Sequence, residues 1–235
     1  MTDDRDWVDR DGSGGEATES TSSDHSASQT PNDGGSDEAS DPRAMLGRAL
    51  DQAGMVIARI TPDQVKHATP CQSWDVGTVA NHLINGVDRF RRTVAGETVD
   101  WGTPMPDVDG EWAAEFHDRA DALAAAWAAV PDMSSTSSTA MGEISRSFTA
   151  SQQITEIAQH TWDLAAATGQ RNMLVPDIAT EALVWARQSL KPEYRGTEGS
   201  GMAFGPEQPV ADDAPAPDRL AAFFGRDPNF VGEDG

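Results

Sequence analysis

Lysine is almost missing from this sequence. Lys66 and Lys191 are its only two, and 17 basic residues in all stand against 39 acidic ones, a formal net charge of −22 over 235 residues. So negative a surface repels phosphate backbones and anionic headgroups, and no basic cluster offsets it, so neither nucleic acid nor a membrane is an expected partner. Acid excess with scarce lysine suits a high-salt cytoplasm and, equally, a GC-rich genome that favours arginine. Cysteine is reduced to Cys71, which excludes an internal disulfide framework and fits a reducing compartment. No apolar run reaches the roughly 18 residues of a membrane span, and the N-terminus lacks a positive region followed by an apolar stretch. The expected location is cytoplasmic.

Apolar side chains are also nearly absent from residues 1–42. Twelve acidic residues face Arg5 and Arg10 there, a net charge of −10, and Ser, Thr, Gly and Asp fill most of the rest. Such a stretch cannot bury enough surface to offset its ordering entropy, so a disordered acidic tail is expected, with Trp7-Val8 its one feature that could dock on a partner. Residues 43–228 read as one domain and 229–235 as a short C-terminal tail.

What is present within 43–228 is helical periodicity. Met45, Leu46, Ala49, Leu50, Ala53, Val56, Ile57 and Ile60 recur at helical spacing and predict a first helix from Pro42 to about Ile60. Pro62 and Pro70 break it, and Ser73 or Asp75 offers a cap for a second helix with Val76, Val79, Leu83, Val87 and Phe90 on one face. A third, from about 111 to 130, carries Trp112, Phe116, Leu123 and Trp127 and stops at Pro131. Residues 132–147, rich in Ser and Thr, read as a loop with a short extended excursion. A fourth helix spans about 148–168 and ends at Gly169, a fifth about 177–190, and a short one 218–225. No βα alternation is seen. The fold class is all-α, an antiparallel four-helix bundle with a short extra C-terminal helix and at most a minor extended segment.

Glu156 and His160 stand four apart in the fourth helix, so both side chains point the same way about one turn apart. His82 falls at the border of the second helix's apolar face, beside Val79. Together they offer two nitrogens and one carboxylate. Three protein ligands leave a position open for water or substrate, the mark of a catalytic zinc-type site. The spacing alone equally describes a solvated Glu–His pair and a hydrogen-bonded core-edge histidine. Asp163, seven residues after Glu156, shares its face and could hydrogen-bond the His160 ring, add a fourth ligand or simply be solvated. Cys71 precedes the second helix, where a helix N-terminus favours a thiolate; a small buried residue is the plainer reading. Trp74 and Trp162 are expected as walls of the site, or as core. His67, in a loop, and His117, bordering the Trp112 stripe, are left out of the site, and His25 belongs to the tail.

Thr69-Pro70-Cys71-Gln72-Ser73-Trp74, His82-Leu83 and His160-Thr161-Trp162-Asp163-Leu164-Ala165 through Thr168-Gly169-Gln170 together resemble the metal-binding domain of mycothiol-dependent maleylpyruvate isomerases, a family of DinB-like bundles. With Ala203-Phe204-Gly205-Pro206 and Asp218 to Pro228, the likeness covers about 43–228 and points to a single-domain branch. It implies a DinB-like four-helix bundle and a divalent metal, usually zinc, held by His82, Glu156 and His160. It also implies work with a low-molecular-weight thiol, hence a metal-dependent thiol S-transferase or isomerase acting on a small-molecule electrophile. Only about 40 residues follow the bundle, so no second domain supplies substrate contacts and maleylpyruvate isomerase activity itself is not expected. The alternative is a non-enzymatic metal-binding or stress-sensing module, and a homodimer is compatible with either.

Overall fold

A computed structural model describes residues 41–71, 74–108, 110–139, 142–196 and 204–233. The expected acidic tail therefore lies outside the described residues, apart from Asp41 and Pro42. Among the described residues the fold is mostly helical, with six α-helices and one small sheet. Helix α1 (Pro42–Ile57) starts where Asp41 accepts the Arg43 backbone N–H at 3.0 Å and Pro42 supplies a φ already suited to the first turn. Helix α2 (Val76–Val94) is capped by Asp75, which accepts from the Thr78 N–H at 2.8 Å. Helix α3 (Trp112–Ala128) follows the Pro- and Gly-containing stretch 101–110. The expected extended excursion is a hairpin, β1 (Thr136–Thr139) paired antiparallel with β2 (Gly142–Ser145), Thr136 opposite Ser145. Ser145 then caps α4 (Arg146–Ala167), accepting from the Phe148 N–H at 3.2 Å.

Helices α5 (Pro176–Ser189) and α6 (Ala216–Phe223) complete the chain. Helices α1 and α2 each pack on both α3 and α4, while α5 and α6 pack on each other and on α4. This changes the expected picture of α4. Its periodicity predicts one apolar arc, yet every residue from Ile157 to Ala167 is buried. Polar residues survive there because they are bonded locally: Thr155 donates to the Ser151 carbonyl at 2.8 Å and Thr161 to that of Ile157 at 2.7 Å. Gln153 accepts the Trp127 indole N–H at 2.8 Å, tying α3 to α4.

The C-terminal segment is built into this body. After α6, Gly225 adopts φ 85°, its N–H bonds to the Ala222 carbonyl at 3.0 Å and the Arg226 N–H to that of Ala221 at 2.9 Å, a Schellman stop that turns the chain back toward α4. A Cβ on Gly225 would stand 2.8 Å from the Gly205 Cα. Gly225→Ala is therefore expected to cost about 1–3 kcal/mol, measured by urea unfolding, since it combines a left-handed φ with a backbone clash. Residues 229–233, expected as part of a tail, lie on the body: Arg171 donates to the Pro228 and Phe230 carbonyls at 2.9 and 2.7 Å. No helix among the described residues is long and apolar enough to cross a membrane.

Candidate metal centre

His82 comes from the second turn of α2, and Glu156 and His160 from the middle of α4; the α2–α4 packing brings all three together. Their ligand atoms lie within 4.8 Å of one another, the one such group of His, Cys, Asp or Glu among the described residues. The His82 Nε2 is 3.2 Å from Glu156 Oε1, and the His160 Nε2 is 3.2 Å from the same oxygen. Ligands held tetrahedrally at ~2.0–2.1 Å from one ion stand about 3.3 Å apart, so these separations suit a shared cation. Exposure rises outward across the cluster, from 9% for the His160 side chain to 21% for His82 and 34% for Glu156. The carboxylate edge is thus the side open to solvent.

Behind His160 the structure adds a second layer. The His160 Nδ1–H donates to Asp163 Oδ2 at 3.0 Å, which leaves Nε2 as the ring atom available to an ion. Asp163 is wholly buried, so its charge requires a partner. Arg226 provides it, donating from Nε to Oδ1 at 3.2 Å and from Nη2 to Oδ2 at 3.1 Å, while the Gln159 amide reaches Oδ1 at 3.3 Å. This bidentate pair spans from α4 to the segment after α6. Of the roles open to Asp163 in the sequence, the structure shows the hydrogen bond to the ring.

Two expectations about the surroundings divide. Trp74 is a wall: its ring lies 4.8 Å from the His82 ring and is stacked with that of His160 at 6.0 Å. Trp162 is not. At i+2 from His160 it points elsewhere, donates to Asp218 at 2.9 Å, lies under the Arg171 guanidinium at 4.7 Å and packs on Ala166 and Ala221. Cys71 is half-buried against the core and is not among the clustered ligand atoms. His67 faces Glu233 at 3.6 Å and His117 faces Asp121 at 3.5 Å, both outside the cluster. Arg226 carries no periodicity signal. The signal that points to it is Asp163 itself, the one carboxylate in the fully buried run Ile157 to Ala167.

The charges are strongly coupled. Burial opposes a charged His160, but the Glu156 and Asp163 carboxylates outweigh it and hold the imidazole pKa up at about 9. Burial likewise pushes the Glu156 carboxyl up, and the facing His160 and His82 rings bring it well below the ordinary range. Asp163, also pushed up by burial, is held low by Arg226 and His160. In the metal-free protein, a His160 pKa above its unfolded value stabilises the fold fully below pH ~6.5, and this is lost as pH rises to 9. A fall in unfolding free energy on the order of 3 kcal/mol is expected between pH 6 and pH 9 in chelator-treated protein. A His160→Gln variant should lose that pH dependence.

Fold and cluster together define a class, a mostly helical protein with a His/Glu/His constellation of metal-site type. Residues 46–165 match the mycothiol maleylpyruvate isomerase N-terminal domain. The uncharacterized proteins MT0763 of Mycobacterium tuberculosis strain CDC 1551 / Oshkosh and Rv0738 of strain H37Rv are each 35% identical over 187 residues, covering 79% of this chain and 98% of theirs. The chain belongs to the mycothiol maleylpyruvate isomerase N-terminal domain family. No solved structure matches it.

Proposed function

We propose that this protein is a DinB-like antiparallel four-helix bundle, formed by α1 to α4, that holds one divalent ion through His82, Glu156 and His160. The observation that carries this reading is the convergence of two imidazole Nε2 atoms on one Glu156 oxygen, each at 3.2 Å. The mixed nitrogen and carboxylate donor set suits zinc. When bound with a position open, such an ion supplies Lewis acidity that favours the thiolate form of a ligand thiol at neutral pH. The proposed activity is thiol-dependent transfer or isomerisation of a small electrophile.

The chain's own residues support an open centre over a closed, purely structural one. Asp163 is committed to the His160 Nδ1 and to Arg226, so it is not free to close the coordination sphere as a fourth ligand. Trp74 shields one flank of the two rings, while the Glu156 edge stays accessible. Metal analysis of purified wild type, His82→Ala and Glu156→Ala tests the reading, with a thiol-transfer assay on the same samples. Stoichiometric metal in wild type alone, with thiol consumed only by wild type, is the expected result. Metal without thiol turnover under any electrophile would leave a binding module in place of an enzyme.

A further inference from the structure

A groove of about 370 Å³ opens beside the centre, and His82 and Trp74 both belong to its lining. Its other walls include Met105 and Trp112, with Asp107 at the rim. The volume falls in the range of small-molecule sites. The wall formed by residues 101–108 is fastened in place along one stripe of α2. Asn81 Oδ1 accepts the Val108 N–H at 2.7 Å, Asn85 donates to the Pro106 carbonyl at 2.9 Å, and Arg89 donates to the carbonyls of Trp101 and Thr103. A ligand thus meets a preformed wall and pays little to order it.

The groove also has a charge preference. Lys66 and Asp75, both in the lining, pair with each other at 2.9 Å and cancel. Asp107 is exposed, has no ion-pair partner among the described residues, and shares the lining with the Trp74 and Trp112 indoles in a strongly acidic chain. A carboxylate beside aromatic faces is the chemistry that recognises an alkylammonium. The centre asks for the opposite: a divalent ion with one Glu156 carboxylate keeps a single positive charge, which suits an anionic donor. Resting on the thiol reading above, we infer that the groove binds the alkylammonium-bearing end of a small molecule whose thiol end ligates the centre.

The test uses the full chain loaded with cobalt(II) and three thiols of equal chain length, ending in a trimethylammonium, a hydroxyl or a carboxylate group. Sulfur-to-cobalt charge-transfer absorbance reports binding. The ammonium thiol is expected to bind at least about fivefold more tightly than the carboxylate thiol at low salt. That preference should shrink toward onefold in Asp107→Asn and weaken in Trp112→Leu, while Asp51→Asn on the exposed face of α1 leaves it unchanged and so controls for overall charge. Equal affinities, or a preference that Asp107→Asn leaves intact, overturn the groove assignment and leave the thiol reading standing. If no thiol gives the band while cobalt stays bound, the thiol reading fails, and calorimetry with benzyltrimethylammonium then decides the groove. Binding that depends on Asp107 keeps the alkylammonium assignment; no binding removes it.

Discussion

Arg226→Ala is expected to lower the unfolding free energy by about 3–5 kcal/mol, because it leaves the fully buried Asp163 carboxylate without its counter-charge. The Gln159 amide and the His160 ring remain as partners, but neither replaces a bidentate guanidinium. Arg226→Lys should recover only part of the loss, since an ammonium cannot span both carboxylate oxygens. Asp163→Asn with Arg226→Met removes both charges together and should be less damaging than Arg226→Ala alone. The same substitution has a second readout. In Arg226→Ala the Asp163 carboxylate keeps its bond to the His160 ring but is no longer held from behind, so the ring is less firmly oriented and zinc affinity should fall about 10-fold, the low end of what loss of an outer-layer partner costs. Urea unfolding of chelator-treated protein and zinc titration in competition with a chromophoric chelator measure the two effects separately. An unchanged zinc affinity in a folded Arg226→Ala variant would show that the pair serves stability only.

Glu156→Ala is expected to cost more in metal and less in fold. Glu156 is a third exposed, so its removal opens no deep cavity, while His82 and His160 lose the oxygen they share. Affinity for zinc should drop by well over ~100-fold, beyond what loss of an outer-layer partner costs. The His160 pKa should also fall from about 9, since the Glu156 charge is the first of the influences that raise it. An NMR titration of the metal-free variant would show this as a downfield-to-upfield imidazole transition moved toward neutral pH. Glu156→Gln distinguishes charge from shape: it keeps an oxygen in place, removes the charge and is expected to behave like Glu156→Ala in both measurements.

Much of this arrangement was legible in the sequence. The apolar spacing of Val76, Val79, Leu83, Val87 and Phe90 located α2 and its inner face, and Asp75 its start. The spacing of Glu156 and His160 placed both on one line of α4. Their convergence with His82 was not a property of spacing, since it depends on how α2 lies against α4; the shared motifs suggested it and the geometry brings the three within reach. The periodicity of α4 misled in one respect. It showed one apolar arc because threonines and glutamines fill the other faces, yet their side chains bond back to the helix or to α3, which lets α5 and α6 cover them. Trp162 was drawn away from the centre for the same reason: α6 offers Asp218 to its indole N–H. Arg226 was hidden by distance, 63 residues beyond Asp163, and by a position that depends on the glycine turn at Gly225.

The short C-terminal stretch therefore does more than its length suggested. Through Arg226 it reaches the carboxylate behind His160 and helps to fix that imidazole from beyond α6.

The most direct test of the central claim is zinc titration of metal-free wild type and His82→Ala by calorimetry, because His82 is the one proposed ligand that α2 contributes. The account predicts one ion per chain in the wild type, and affinity reduced by more than ~100-fold in the variant. Equal stoichiometric binding by both proteins, or no binding by a folded wild type, would contradict it.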